Sequence, residues 1–458
     1  MNEKATLRAL PRSLALGFAT AVSVWLAISS PALAQDNRID TIRADAPDLA
    51  AYGKLAVGVK TIQLVNPKQL DIVKAKAGEP TPTYDRPLTV EVWYPAKPTA
   101  AETSAATAGQ YRVFARDPKT EVTLYGKAIR DAQAEATGGP YPLLIISHGY
   151  PGNRFLLSHL GENLASKGYV VASIDHTDST YNDQAAFGST LLNRPLDQLF
   201  VLNQMAKLNA GETGDAIKGA LKGMVNADIT GLIGYSMGGY GVVNTIGGGF
   251  AAAVVASPLA PPNGVLASRQ AGNAAYTATM DPRIKAAVAI APWGWNRGVW
   301  DAAGLAGIKT PVFYMAGSVD DVSGYAPGVR NIYEGSVNAQ RYLLTFENAN
   351  HNAGAPMPAP KESRVRVPHL PFIPSAHYID AVWDNVRMNN IAQHFSTAFL
   401  AKYLKSDASM DGYLNLVENA KDGKWSAETD GKFKADHTYW NGFANRTAVG
   451  LRLEQRKP

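Results

Sequence analysis

The stretch Asp228-Ile-Thr-Gly-Leu-Ile-Gly-Tyr-Ser-Met-Gly-Gly239 decides the fold. Asp228–Gly234 reads as a short apolar strand, and a helix starts from Met237. Between them stands Gly234-Tyr-Ser-Met-Gly238, a Gly-x-Ser-x-Gly pattern on a sharp strand-to-helix turn. The flanking glycines keep Cβ atoms out of the crowded bend, and the serine is left exposed at its apex. A serine hydroxyl is a poor nucleophile unless it is exposed, strained and beside a base. Ser236 is therefore the candidate nucleophile.

Outward from this turn the pattern is regular. Leu143–Ser147, Tyr169–Ile174, Ala286–Ile290, Pro311–Ala316 and Arg341–Phe346 are further short apolar runs. Leu156–Lys167, stopped by Gly168, and Pro195–Leu208 are helical. Strands of this length alternating with helices predict an α/β fold with a mostly parallel central sheet covered by helices on both faces. Val57–Leu64 and Leu88–Tyr94 are strand-like, and residues 98–110 read as a surface loop. Met388, Ile391, Ala392, Phe395, Phe399 and Tyr403 form a helical stripe of core packing. The expected organisation is one domain over 51–458, preceded by a flexible arm at 35–50. Two segments, 247–275 and 353–375, are small-residue and Pro-rich or Pro-rich insertions that could rim a site at the carboxyl ends of the strands.

A base and an acid should follow the serine. Asp320 lies four residues beyond Pro311–Ala316, with Asp321 beside it as an alternative acid. His351 falls on the loop after Arg341–Phe346. His351 is expected to take the Ser236 proton, and the acid to hold the imidazole in the right tautomer. The oxyanion of a tetrahedral intermediate needs N–H donors. The backbone of Met237 can supply one. The backbone of Tyr150, in Ser147-His-Gly-Tyr-Pro-Gly152, can supply a second. His148 reads as a buried histidine supporting that loop, and His176 with Asp178, in Asp175-His-Thr-Asp178, as a structural or site-edge pair, with an alternative acid or a metal pair as the other readings. Two such residues are too few for a metal site.

These residues resemble two groups of α/β-hydrolases: the platelet-activating-factor acetylhydrolase-like and dienelactone-hydrolase-like esterases, and the bacterial cutinase and polyester-hydrolase group. The resemblance runs over roughly residues 140–352. It rests on Ser147-His-Gly-Tyr-Pro-Gly-Asn-Arg154, Leu164-Ala-Ser-Lys-Gly-Tyr-Val-Val171, Gly234-Tyr-Ser-Met-Gly-Gly239, Ala291-Pro-Trp293, Ala316-Gly-Ser-Val-Asp320 and His351. Arg86-Pro-Leu-Thr-Val-Glu-Val-Trp-Tyr-Pro95 looks like the acetylhydrolase side. The resemblance implies the α/β-hydrolase fold and ester hydrolysis through an acyl-enzyme, without a cofactor or metal. It implies Asp320 rather than Asp321 as the acid, Tyr150 and Met237 as the oxyanion hole, and Trp293 as a wall of the acyl pocket. An amidase or peptidase on the same fold, a polyester hydrolase and a non-catalytic binding member are the other readings. The chain has two candidate lids and no cysteine, unlike many polyester hydrolases.

Composition narrows the partners. Of 458 residues, 46% are hydrophobic and 18% charged, enough for a large core. Met1–Ala34 has a basic start, an apolar run from Leu14 to Ile28 and Pro31-Ala-Leu-Ala34, the pattern of a signal peptide cleaved before Gln35. The expected compartment is periplasmic or secreted, with no stable membrane insertion after cleavage. The net charge of +5 gives no reason to expect a nucleic-acid partner. The absence of cysteine excludes disulfides, thiolate metal sites and a cysteine nucleophile. The expected partner is a small-molecule ester with an apolar acyl group.

Overall fold

The computed structural model describes residues 36–105, 107–212 and 221–458. The leader read at Met1–Ala34 lies outside them. Twelve strands are found among the described residues: β1 (Ala56–Leu70), β2 (Thr83–Ala96), β3 (Gln110–Phe114), β4 (Glu121–Tyr125), β5 (Ile129–Arg130), β6 (Tyr141–Ser147), β7 (Val170–Asp175), β8 (Val225–Tyr235), β9 (Ile284–Ile290), β10 (Val312–Gly317), β11 (Arg341–Phe346) and β12 (Leu451–Arg456). All but the β3–β4 hairpin join one sheet, in the order β12-β11-β10-β9-β8-β6-β7-β2-β1-β5. The six strands from β11 to β7 are parallel; β2 and β12 flank them antiparallel.

Helices cover both faces because alternate strand residues point to opposite sides. Leu144 and Ile146 of β6 join one core with the C-terminal helix Asn385–Leu404, through Phe395 and Phe399. Leu143 and Ile145 face the other core, with Val201, Leu202 and Met205. The strand order reverses between β6 and β8, since β7 lies on the far side of β6. Loops leaving the carboxyl ends of two strands at such a point diverge and open a crevice.

Four helices are labelled in chain order: α1 (Ala100–Ser104), α2 (Ser158–Ala165), α3 (Phe187–Ala210) and α4 (Met237–Thr245). The expected surface loop at 98–110 thus holds α1, whose Thr99 and Glu102 form a capping box. Helix α3 begins well before Pro195, which looked like its start. A proline lacks the N–H that would bond the carbonyl four residues back. Here that carbonyl, Leu191 O, accepts from the Tyr240 hydroxyl of α4 at 2.7 Å, so the helix continues and is tied to α4.

The stretch 36–50, expected as a loose arm, is docked on the body. The Ile39 N–H donates to Tyr125 O at 2.8 Å and the Ile39 side chain is buried. Lys167 Nζ donates to Leu49 O at 2.6 Å, and Asn390 Nδ2 to Thr41 O at 3.1 Å. Its polar sequence suggested solvent, but the carbonyls of Thr41, Leu49 and Ala50 are bonded by side chains of the body. The 247–275 insertion also packs: Phe250 stacks on Tyr240, and Asn263 Nδ2 donates to Lys76 O and Glu79 O.

Candidate active site

Ser236 sits between β8 and α4 with φ 53°, a left-handed conformation uncommon outside glycine. The bend leaves no room for side chains nearby. A Cβ on Gly238 would lie 1.9 Å from Ser147 O, and one on Gly234 2.2 Å from Gly238 O. The strained turn is pinned from both sides: Ser236 N–H donates to Ile290 O at 2.9 Å, and Trp293 N–H donates to Ser236 O at 3.2 Å.

The structure brings Ser236, His351 and Asp320 together. His351 Nε2 is 2.9 Å from Ser236 Oγ, and His351 Nδ1 is 3.0 Å from both Asp320 oxygens. Placing the ring proton on Nδ1, against the carboxylate, leaves the Nε2 lone pair facing the hydroxyl. All three residues are buried. Burial would push the Asp320 carboxyl up, but the His351 bond and the backbone N–H groups of Val322 and Ser323 outweigh it and hold it below the usual carboxylate range. Asp321 has no such bond to His351; it is exposed and lines the mouth of the cavity.

That cavity, about 370 Å³, is lined by Gly149 and Tyr150 on one side and by Asn350, Asn352, Ala376 and His377 on the other, with Ser236 and His351 in its wall. The lining is more polar than the apolar acyl pocket expected from sequence. Neither insertion lines it, although Ala376 and His377 follow directly on 353–375. The His351 loop holds this wall in place. Asn352 Nδ2 donates to Ala376 O and Ile379 O, while its Oδ1 accepts from Tyr235 OH. His377 is kept neutral, its pKa pushed down to about 3 by burial and then by Arg116 and His351. No local pattern in the sequence pointed to His377.

Trp293 is not among the residues that line this cavity, and its ring is half-buried. Its ring meets Phe187 edge-on at 5.4 Å, and Phe187 meets Tyr150 in the same way at 5.3 Å. Tyr150 lines the cavity, and Met237 opens α4, where a helix leaves its first N–H groups without intrahelical partners.

His148, His176 and Asp178 lie beneath the Tyr150 loop, all buried. His176 Nδ1 bonds Asp197, which also receives Arg86 through two N–H groups at 2.9 Å; Arg86 reaches Asp178 at 3.0 Å. Among the described residues, no group of three or more His, Asp or Glu could hold a metal.

A serine after β8, an acid after β10 and a histidine after β11, around a switch point in a parallel sheet, is the α/β-hydrolase arrangement, and the chain has that fold. Residues 50–199 match the family model described as platelet-activating factor acetylhydrolase, isoform II. This match covers the Tyr150 loop and stops before Ser236. The chain is 30% identical to the platelet-activating factor acetylhydrolase of Bos taurus over 24% of this chain and 33% of that protein. It is 24% identical to cutinase 2 of Thermobifida cellulosilytica over 46% of this chain and 61% of that one. The chain thus spans less than two thirds of either relative. Among solved structures, a ferulic acid esterase from Streptomyces cinnamoneus superposes with a TM-score of 0.53 at 21% identity, covering 82% of this chain and 96% of that one; the likeness is one of fold.

Proposed function

We propose that the chain is an exported carboxylic-ester hydrolase working through an acyl-enzyme. The observation that carries this reading is the contact of Ser236 Oγ with His351 Nε2 at 2.9 Å, with Asp320 on the far ring nitrogen and the cavity alongside. Ser236 Oγ attacks the ester carbonyl as His351 Nε2 takes its proton. The backbone N–H groups of Tyr150 and Met237 receive the oxyanion. The C–O bond to the alcohol breaks, and His351 returns the proton to the leaving oxygen. Water, deprotonated by His351, then attacks the acyl carbon and frees Ser236.

A cavity of 370 Å³ suits a small or medium ester. Its amide and imidazole lining favours an ester with some hydrogen-bonding capacity over a purely aliphatic one. Trp293 backs the Tyr150 wall through Phe187 and acts on acyl size from behind it. The similarity to an acetylhydrolase and a cutinase supports an ester over an amide. The cutinase match also supports a polyester as a second reading, tested by product release from polyester film. The leader pattern at Met1–Ala34 supports export. Among the described residues no helix is long and apolar enough to cross a membrane.

The test is a panel of p-nitrophenyl esters and matched anilides on purified protein, with Ser236→Ala as control. Ester turnover is expected, and Ser236→Ala is expected to abolish it. Efficient anilide cleavage with no ester turnover would overturn the ester reading.

A further inference from the structure

We propose that Arg194, together with His148, is a positioning residue for the oxyanion hole: by holding the carbonyl oxygens of His148 and Gly149 inward, it turns the Tyr150 N–H toward the ester carbonyl. The inference rests on the proposed ester hydrolysis and deepens it.

Arg194 lies in the middle of α3, fully buried, and makes no ion pair within 4.0 Å among the described residues. A buried guanidinium is costly to place unless its donors are used. Here both terminal nitrogens are used, on two carbonyls of the Tyr150 loop and on Ser179, while Nε has no partner among the described residues. One terminal nitrogen donates to His148 O; the other donates to Gly149 O at 2.9 Å and to Ser179 Oγ. Gly149 O accepts a second bond, from His148 Nδ1 at 2.7 Å. The tautomer is set by His148 Nε2, which accepts the His176 N–H at 3.2 Å.

Gly149–Tyr150 is a trans peptide, since the cis bonds among the described residues are Gly139–Pro140 and Tyr150–Pro151. In a trans peptide the C=O and the following N–H point in opposite directions. Two donors that fix Gly149 O on the protein side therefore fix the Tyr150 N–H on the other side, and both Gly149 and Tyr150 line the cavity with Ser236. A flip of this peptide would put a carbonyl oxygen where the oxyanion forms.

A second Ser–His–Asp chain locks the support from below. Ser147 Oγ lies 2.8 Å from His176 Nε2, and His176 Nδ1 lies 2.9 Å from Asp197. None of these three lines the cavity, so the chain can hold the loop but cannot meet substrate.

The test uses Arg194→Met, Arg194→Lys and His148→Asn. Active serines are counted with a fluorophosphonate, and kcat and KM are measured per active serine on p-nitrophenyl butyrate. Inhibition by a trifluoromethyl ketone, which forms an oxyanion adduct, is measured alongside. Loss of one oxyanion donor costs about 10²–10³ in kcat, so Arg194→Met is expected to lose about 10²-fold in kcat with KM within about threefold. The ketone weakens in parallel with kcat/KM, and Arg194→Lys recovers part of both. A purely structural role lowers the number of titratable serines and leaves kcat per serine and ketone affinity unchanged. That result overturns the proposal. If Arg194→Met does not fold, the same two readouts on Arg194→Lys and His148→Asn decide. A wild-type protein that titrates but turns over no ester defeats the ester reading itself; an active wild type with unaltered variants defeats only the role of Arg194.

Discussion

At the residue scale, the candidate site depends on a few side chains held at loop ends. Ser236, Asp320 and His351 were legible because each lies just past an apolar run, and the chain order of the loops matches their spatial order. Asp320 and Asp321 were separable only by the resemblance. In the structure the difference is physical: Asp320 faces His351 Nδ1, and Asp321 faces solvent. Ser236→Ala and His351→Ala are each expected to cut kcat by about 10⁴-fold or more, and the double variant little further, because the pair acts as a unit. Asp320→Asn is expected to cost about 10⁴ in kcat. Asp321→Asn is expected to stay within about threefold, as an exposed charge should. Steady-state kinetics of the four single variants and the double variant checks this, and a larger loss at Asp321 would reverse the assignment. Arg194 was not legible. It falls just before the helix read from Pro195, and the two carbonyls it holds lie 45 and 46 residues earlier in the chain.

At the element scale, α3 and α4 decide how the site is held. Pro195 looks like the start of α3, since proline usually opens a helix. No local pattern shows that Tyr240, 49 residues from Leu191, satisfies the carbonyl that the proline leaves free. Asp197, on the same helix, is buried between Arg86 and His176. Burial alone would raise its pKa, but Arg86 and His176 outweigh it and hold it at about 2. This is below the unfolded value of about 3.9, so its stabilisation is present above pH ~4 and is lost as pH falls toward 2. The contribution is on the order of 2–3 kcal/mol. Urea midpoints between pH 6 and pH 2.5 are expected to fall more steeply for the wild type than for Asp197→Asn, which should be weaker at pH 6 because Arg86 is left buried with less compensation. Parallel slopes would contradict this. Helix α4 packs on β6 through Gly238, where any Cβ meets Ser147 O. Gly238→Ala is expected to cost at least ~2 kcal/mol and to lower Tm in calorimetry.

At the scale of the whole molecule, the parallel sheet was legible from its short apolar runs, while the outer layers were not. Segment 36–50 looked loose, yet it reaches across α2 and the C-terminal helix: Lys167 Nζ contacts Leu49 O, Asn163 Oδ1 and Thr397 Oγ1, and His394 Nδ1 accepts the Leu49 N–H. The contacts of Lys167 with Leu49 and Thr397, and of Leu49 with His394, join residues more than a hundred positions apart and leave no local periodicity to read. A chain lacking residues 36–51 loses these partners and the burial of Ile39 and Ala50. It is expected to be less stable by about 2 kcal/mol or more, read as a lower Tm, with the kcat of the folded fraction retained. An unchanged Tm would mean that the docking contributes nothing. The cavity, too, is a property of the whole chain, because its walls come from the Tyr150 loop and from the 376–377 segment tied down by Asn352. The central claim is that this cavity delivers an ester to Ser236. Rapid acid quench during turnover of a p-nitrophenyl ester, followed by peptide mass spectrometry, tests it most directly. An acyl group is expected on the peptide carrying Ser236, present in wild type and absent in Ser236→Ala. Ester turnover that persists in Ser236→Ala, or an acyl group on another residue, would contradict the claim.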